Sequence, residues 1–432
     1  MKNISVAQQM RRASLAGVLL AAVALPAGAV DLKTGDGSWT FSISGNVNVD
    51  YIYSSCQNPS GAVPVNGGLT CIGSASSNNV SNIGNGLLPA AFSFGVATTQ
   101  NGIDLAAHLG LYPGIATNDG GSPNLQGGNS NGSSNTALGS TGLDLRQVYM
   151  TFGNKAMGTF TLGRNIGLFG ADAILNDMTL LGVGAPGSAA SAAPSNTTLG
   201  GIGFGYIYTD WLAQIDYTTP DLSGFAFTVG IFDPINSLSE GGATVQPKKA
   251  PGFHGKLSYT MPLAGEGDKF YISVAALTQE QDYVAGGTPY DYRGTGEDLF
   301  AKLDLAGFEV FGYVYHADGL GTTALFNGGA INTVVGGVPV FGETRTSKGY
   351  LAQVSYKLGD VKLGVNYGES KLDKANGDDP DLVTSNKKGT VGVYYSLTKN
   401  LTLLGEVSRT KSESDAGSND ATTVNVGAFL GF

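Results

Sequence analysis

After residue 29 the chain has no run of about 18 apolar residues, so any membrane crossing there has to be made without helices. It is also poor in charge. Asp, Glu, Lys and Arg make up 13% of 432 residues, about half the usual share. Cations are the scarcer sign, 24 Lys and Arg against 34 Asp and Glu, which excludes the basic surface a nucleic-acid partner needs. An acidic surface gathers cations instead. The two cysteines, Cys56 and Cys71, have no histidine close by, and the three histidines, His108, His254 and His316, lie far apart in sequence. Neither set has metal-ligand spacing, so no metal or other cofactor is expected, and the histidines are expected in lumen or wall positions. Amphipathic helices of convincing length are missing too, unlike a soluble enzyme of this size. Glycine, by contrast, is abundant at 66 residues, roughly twice its average frequency.

The first 29 residues have the layout of a secretory signal peptide. Lys2, Arg11 and Arg12 form a basic segment, SLAGVLLAAVAL is an apolar stretch too short to span a bilayer, and Ala27-Gly28-Ala29 is a cleavage site. The alternative is an N-terminal anchor helix. Without its three cations the chain keeps 21 Lys and Arg against 34 Asp and Glu, a formal charge of −13. In an exported chain, Cys56 and Cys71 are expected to pair and close a loop after the first strand.

What fills residues 30–432 is alternation. In WTFSISGNVNVDYIY, Trp39, Phe41, Ile43, Val47, Val49, Tyr51 and Tyr53 share one parity, while Thr40, Ser42, Ser44, Asn46, Asn48 and Asp50 share the other. The same period of 2 recurs in GFHGKLSYTM (252–261), GYLAQVSYKL (349–358) and VKLGVNYG (361–368), which marks strands with one apolar face. Very short turns, such as 306–307, 358–360 and 398–400, alternate with long polar connections at about 54–88, 113–142, 234–251, 281–296, 317–347, 370–387 and 411–420. The spacing predicts strands over 38–53, 89–100, 102–112, 143–153, 157–164, 204–219, 224–233, 252–261, 269–280, 297–306, 308–316, 348–358, 361–369, 389–397, 401–410 and 421–432. An even number of strands with long loops at one rim and short turns at the other is the rhythm of an up-and-down transmembrane barrel.

The apolar residues per strand are too few for one compact core of this size. In a bilayer that face meets lipid, and the sheet must close because every backbone group has to be paired. The polar face then lines water. Trp39 and Tyr53 lie where interfacial aromatic girdles belong.

The last strand, ATTVNVGAFLGF, alternates Val424, Val426, Ala428, Leu430 and ends on Phe432. It resembles the terminal strand of Gram-negative outer-membrane barrels, which the barrel-assembly machinery reads. RQVYMTFGNKAMGTFTLGRNIGLFGADAILNDM, beginning at Arg146, resembles the Gram-negative general porins, as does IDYTTPDLSGFAF (215–227). The resemblance implies an all-β, 16-stranded antiparallel transmembrane barrel, localised to the outer membrane, with a third loop (165–203) folded inward as a constriction. It further implies a homotrimer set in outer-membrane lipid and lipopolysaccharide that passes small hydrophilic solutes and ions without catalysis. Carried over by position, Arg146 is a wall cation, Asp177 a loop anion and Asp172 a second loop anion. Arg164 stands at the root of the loop and is expected to tie it down.

The chain departs from that pattern in one direction. Leu181 stands where a second loop acid is common, and Ala91 where the second strand often carries Arg. After the loop, Asp210, Gln214 and Asp216 share the inward parity in place of basic residues. With the net charge, this predicts cation preference. The unusually apolar loop keeps open a channel dedicated to one solute class, such as small organic or aromatic solutes or sugars. GNSNG (128–132) matches G-x-S-x-G by spelling alone, without the strand and helix a nucleophile elbow requires.

Overall fold

The structure is a computed structural model that describes residues 29–57, 65–71, 79–115, 143–186, 196–236, 244–285, 287–332 and 343–432. Residues 1–28 of the expected leader, and the GNSNG stretch, lie outside the described residues.

Sixteen antiparallel strands form the barrel. They are β1 (Thr40–Gln57), β2 (Ala91–Gln100), β3 (Ile103–Pro113), β4 (Leu143–Asn154), β5 (Gly158–Ile166), β6 (Trp211–Thr218), β7 (Phe225–Phe232) and β8 (Gly252–Pro262). They continue as β9 (Lys269–Ala285), β10 (Thr288–Leu305), β11 (Phe308–Asp318), β12 (Thr346–Leu358), β13 (Val361–Leu372), β14 (Val383–Ser396), β15 (Leu401–Ser414) and β16 (Ser418–Gly431). Each pairs with the next, and β16 closes on β1 from Asn46↔Gly431 to Gln57↔Asp420. Closure leaves no free edge, which the hydrocarbon requires.

The parity read from the sequence sets the two faces. On β1 the side chains of Phe41, Val47, Val49 and Tyr51 are exposed, whereas Asn46, Asn48, Asp50 and Ile52 are buried inside. At the short-turn rim, ring pairs cross neighbouring strands: Phe152–Phe160 at 4.9 Å, Phe160–Tyr217 at 4.8 Å, Phe225–Tyr259 at 4.4 Å and Phe308–Tyr356 at 4.3 Å. At the opposite side of the wall Tyr51, Tyr53, Tyr350 and Tyr367 are exposed. These are the two aromatic girdles of a membrane barrel. Two-residue turns close the β2–β3 and β10–β11 hairpins, with φ positive at Asn101 and Gly102 and at Ala306 and Gly307. Positive φ at both positions matches the right-handed twist of the flanking strands.

The structure corrects several boundaries. The expected strand 204–219 shortens to Trp211–Thr218, because Gly203 (φ 74°), Gly205 (φ 145°) and Asp210 (φ 61°) break the extended chain before it. Much of 281–296 is strand and not loop: β9 and β10 stay in register to Ala285↔Thr288. The polar composition there reflects strands that outrun the apolar band and no longer need a greasy face. For the same reason the connections expected at 370–387 and 411–420 contract to 373–382 and 415–417. Within 54–88, a short strand Asn79–Gly84 pairs with the upper half of β1. His316 faces outward, where it meets Glu297 of β10 at 3.3 Å.

Apolar side chains also gather inside the barrel. Phe232, Leu277, Tyr283, Tyr292, Phe300, Phe311, Tyr313 and Tyr315 come from the inner faces of β7 and β9 to β11. They pack with Phe169, Ala173, Ile174, Tyr206 and Ile207 of the β5–β6 connection. An inner core of this kind holds connecting segments against a wall that would otherwise offer them only water.

Candidate functional site: the strap between β5 and β6

The connection from Gly167 to Asp210 is bonded to the inner face of strand after strand. The Gly170 amide donates to Asp298 Oδ2 on β10 at 2.7 Å. A short helix, α1 (Ala171–Asn176), follows. Asp172 in its first turn meets Lys256 Nζ of β8 at 2.6 Å and accepts from Tyr271 at 3.0 Å and from Ser273, both on β9. Gln353 of β12 uses both ends of its amide, donating to Asn176 O at 3.0 Å and accepting from the Met178 amide at 2.7 Å. Asp177 accepts from Asn366 of β13 at 3.0 Å and from Tyr206 at 3.0 Å, and its carboxylate caps the turn Met178–Leu180 through the Thr179 amide. At the far end, the amides of Val183 and Gly184 both donate to Glu406 Oε2 of β15 at 2.9 Å. Tyr394 donates to the other oxygen of Glu406. These polar groups of the strap are thus paired with polar groups of the wall. The segment before β2 joins them, with the amides of Leu87 and Leu88 donating to Gly182 O and Leu180 O.

Of the residues singled out in the sequence, Asp172 and Asp177 are both in this strap, but they do not face one another. Burial works against the charge of Asp172, and the Lys256 ammonium with the two hydroxyls overrides it, holding the carboxyl below the usual range. Burial and the neighbouring Asp177 keep the Tyr206 hydroxyl protonated, and so a donor. Arg146 is buried on β4 and ion-paired with Asp144 at 3.1 Å. Its Nη2 reaches Asn196 of the connection at 3.3 Å, and its guanidinium lies 5.3 Å from the Tyr112 ring. Arg164, at the root of the connection, makes no ion pair within 4 Å among the described residues. Its charge and that of Arg146 act on Asp210. Burial raises the Asp210 carboxyl, against the Trp211 amide that donates to it at 2.6 Å. Asp210 sits one residue before β6, not on it, while Gln214 and Asp216 are buried on the inner face of β6. Gln214 donates to Ile166 O at 3.2 Å.

The contacts that hold the strap came mainly from residues the sequence reading passed over. Lys256, Asp298, Gln353, Asn366 and Glu406 are all inner-parity polar residues, which is the signal that could have found them. Lys388 belongs with them. It is fully buried on β14, its Nζ has no hydrogen-bond partner among the described residues, and it interacts electrostatically with Asp177 and Glu406. Cys56 and Cys71 form a disulfide, with Cα atoms 5.5 Å apart. Phe432 exchanges two backbone hydrogen bonds with Gly45, and its ring packs at a tilt against Phe92, with centroids 5.5 Å apart. Among the described residues no cluster of His, Cys, Asp and Glu could hold a metal ion.

A closed barrel with an apolar outer belt, a polar inner face and these girdles is an outer-membrane channel protein. The sequence profile of the Gram-negative porins matches residues 15–415, and the chain belongs to that family. The fold is similar to the outer-membrane channel DcaP of Acinetobacter baumannii, with a TM-score of 0.65 at 15% identity over 93% of this chain and 99% of that one. It is also similar to the anion-selective porin of Comamonas acidovorans (0.57, 14%, 91% and 100%) and to Salmonella typhi OmpF in complex with daunomycin (0.54, 14%, 93% and 100%). No curated protein sequence matches the chain.

Proposed function

We propose that the protein is a passive, cation-preferring porin for small hydrophilic solutes and ions, and that the β5–β6 strap, residues 165–203 at its heart, forms the constriction. The observation that carries this reading is the series of bonds from the strap to β8, β9, β10, β12, β13 and β15. A segment tied to that many inner faces narrows the lumen and stays put. Selectivity then rests on size and on the field at the neck, with no nucleophile or base required.

Charge supports the sign. After residue 29 the chain carries 34 Asp and Glu against 21 Lys and Arg. Asp210 and Asp216 follow the strap where basic residues were expected from the resemblance. The fold alone does not fix selectivity, since one of the similar barrels is described as anion-selective. We read the assembly as a homotrimer, because one Vibrio cholerae OmpT structure of similar fold (TM-score 0.51) is described as a trimer form. Outer-membrane lipid, lipopolysaccharide and the assembly machinery that reads Phe432 complete the set of partners. The test is single-channel current in a planar bilayer under a salt gradient. Cation-selective steps that close in thirds support the reading, and a reversal potential of the opposite sign overturns the selectivity.

A second reading, a channel dedicated to small organic or aromatic solutes, draws on the inner aromatics of β7 and β9 to β11. Most of these rings are buried under the strap, where they act as its packing core. Saturable block of the ion current by such a solute would favour this reading.

A further inference from the structure

We infer that residues 319–332, in the connection between β11 and β12, form a second inward strap that sets the outer cross-section of the channel, with Arg345 as its clasp. The inference rests on the channel reading above.

Three observations carry it. First, the inner face of β10 has a recess made by Gly294 and Gly296, and this segment fills it. A Cβ on Gly294 would lie 2.5 Å from Phe326 and 2.8 Å from Leu320, and one on Gly296 would lie 2.7 Å from Leu320 and 3.1 Å from Phe169. Glycine is needed there because two straps press on the wall at once. Leu320, Leu325, Phe326 and Ile331 are buried in the same inner core as Phe169, Tyr206 and Tyr315. Apolar side chains on an outer loop would not be buried among inward-facing residues unless the loop turned in.

Second, backbone bonds stitch the segment to its surroundings. The Tyr208 amide of the first strap donates to Thr323 O at 2.9 Å, and Ser347 Oγ of β12 donates to Gly321 O at 2.6 Å. Third, Arg345 locks the base of the segment. Its Nε and Nη2 bind both oxygens of Asp378, in the β13–β14 connection, at 2.8 and 2.6 Å, and its Nη1 donates to Gly329 O at 3.3 Å and to Ile331 O. The two side chains are only 8% and 2% exposed. A buried bidentate pair costs a great deal to break by removing one partner. Neutralising both partners releases the clasp without stranding a charge.

The segment GLGTTALFNGGAIN contains no charged residue. It therefore narrows the channel sterically and adds nothing to the field, so size exclusion and ion selectivity should come apart. Two variants disturb it independently: Arg345→Gln with Asp378→Asn opens the clasp, and Gly294→Leu fills the recess and expels Phe326 and Leu320. Each is assayed as heat-modifiable protein in planar bilayers, with conductance, exclusion of graded polyethylene glycols and reversal potential as readouts. The expected result is conductance higher by about 1.5-fold or more, a larger excluded polymer and an unchanged reversal potential. Wild-type conductance and exclusion in the folded variants would overturn the inference, as would a shifted reversal potential at constant exclusion. A wild-type protein that does not conduct would instead overturn the channel reading. If one variant fails to assemble, the other decides.

Discussion

Glu406 is the point at which the β5–β6 strap can be released with one side chain. Its Oε2 accepts from the amides of Val183 and Gly184, each at 2.9 Å, and its other oxygen accepts from Tyr394. Replacing it with Ala leaves two backbone donors unmatched. Each costs about 1–3 kcal/mol if water does not reach it, so the far end of the strap loses about 2–6 kcal/mol. At about 1.4 kcal/mol per tenfold, the ratio of released to docked strap rises by roughly 30-fold to 10⁴-fold. The barrel is spared, because β15 keeps its full ladders to β14 and β16. The near end stays tied through Asp172, Gln353 and Asp177. Glu406→Ala should therefore migrate on gels as a normal heat-modifiable barrel, yet conduct more current with greater open-channel noise. Proteolysis within the strap of the intact barrel should also speed up. Wild-type conductance and noise in a folded variant would refute the claim that Glu406 holds the strap.

Three further outcomes are expected. Asp172 titrates below its ordinary value of 3.8, so its tie to Lys256 is fully present above that value and is lost only as pH falls through the depressed folded value. The difference in channel noise between wild type and Asp172→Asn should be constant from neutral pH down to about 4 and vanish only in stronger acid. Asp210 shifts the other way: burial raises it, so the folded state favours its protonated form and loses stability as pH rises through the raised value. Asp210→Asn, which keeps a residue tolerant of positive φ, should melt above wild type at neutral pH and match it in acid. Cys56→Ala with Cys71→Ala opens a loop of sequence separation 15, which costs about 3 kcal/mol in the chain-entropy account. Faster proteolysis between the two positions, with the barrel intact, is the readout, and an unchanged cleavage rate would count against a constraining role.

The strand count, the two faces, the short-turn rim and the closing strand were all legible because strand parity is local. Any residue of β1 or β16 declares its face through its neighbours two positions away. The ends of strands were less legible. Gln281, Tyr283, Tyr290 and Tyr292 read as loop because their outward neighbours are polar, yet they pair in register above the apolar band. Residues 204–210 read as strand, since nothing in their composition announces positive φ at Gly205 and Asp210.

The site shows the same division. The sequence singled out Asp172 and Asp177 in the β5–β6 connection and paired Cys56 with Cys71. The partners were beyond it. Lys256, Gln353, Asn366 and Glu406 lie up to 223 residues away from the strap amides or carboxylates they bind. Arg146 turns to Asp144 on its own strand, at 3.1 Å, a choice made by the packing of Tyr112 and Asn196 around it. What the sequence determined by itself is which face each side chain takes, because that follows from a two-residue period and from the contrast between lipid and water. Only the tertiary structure decided which wall residues the connecting segments would meet, because that depends on closing the sheet and on the cumulative register of all sixteen strands.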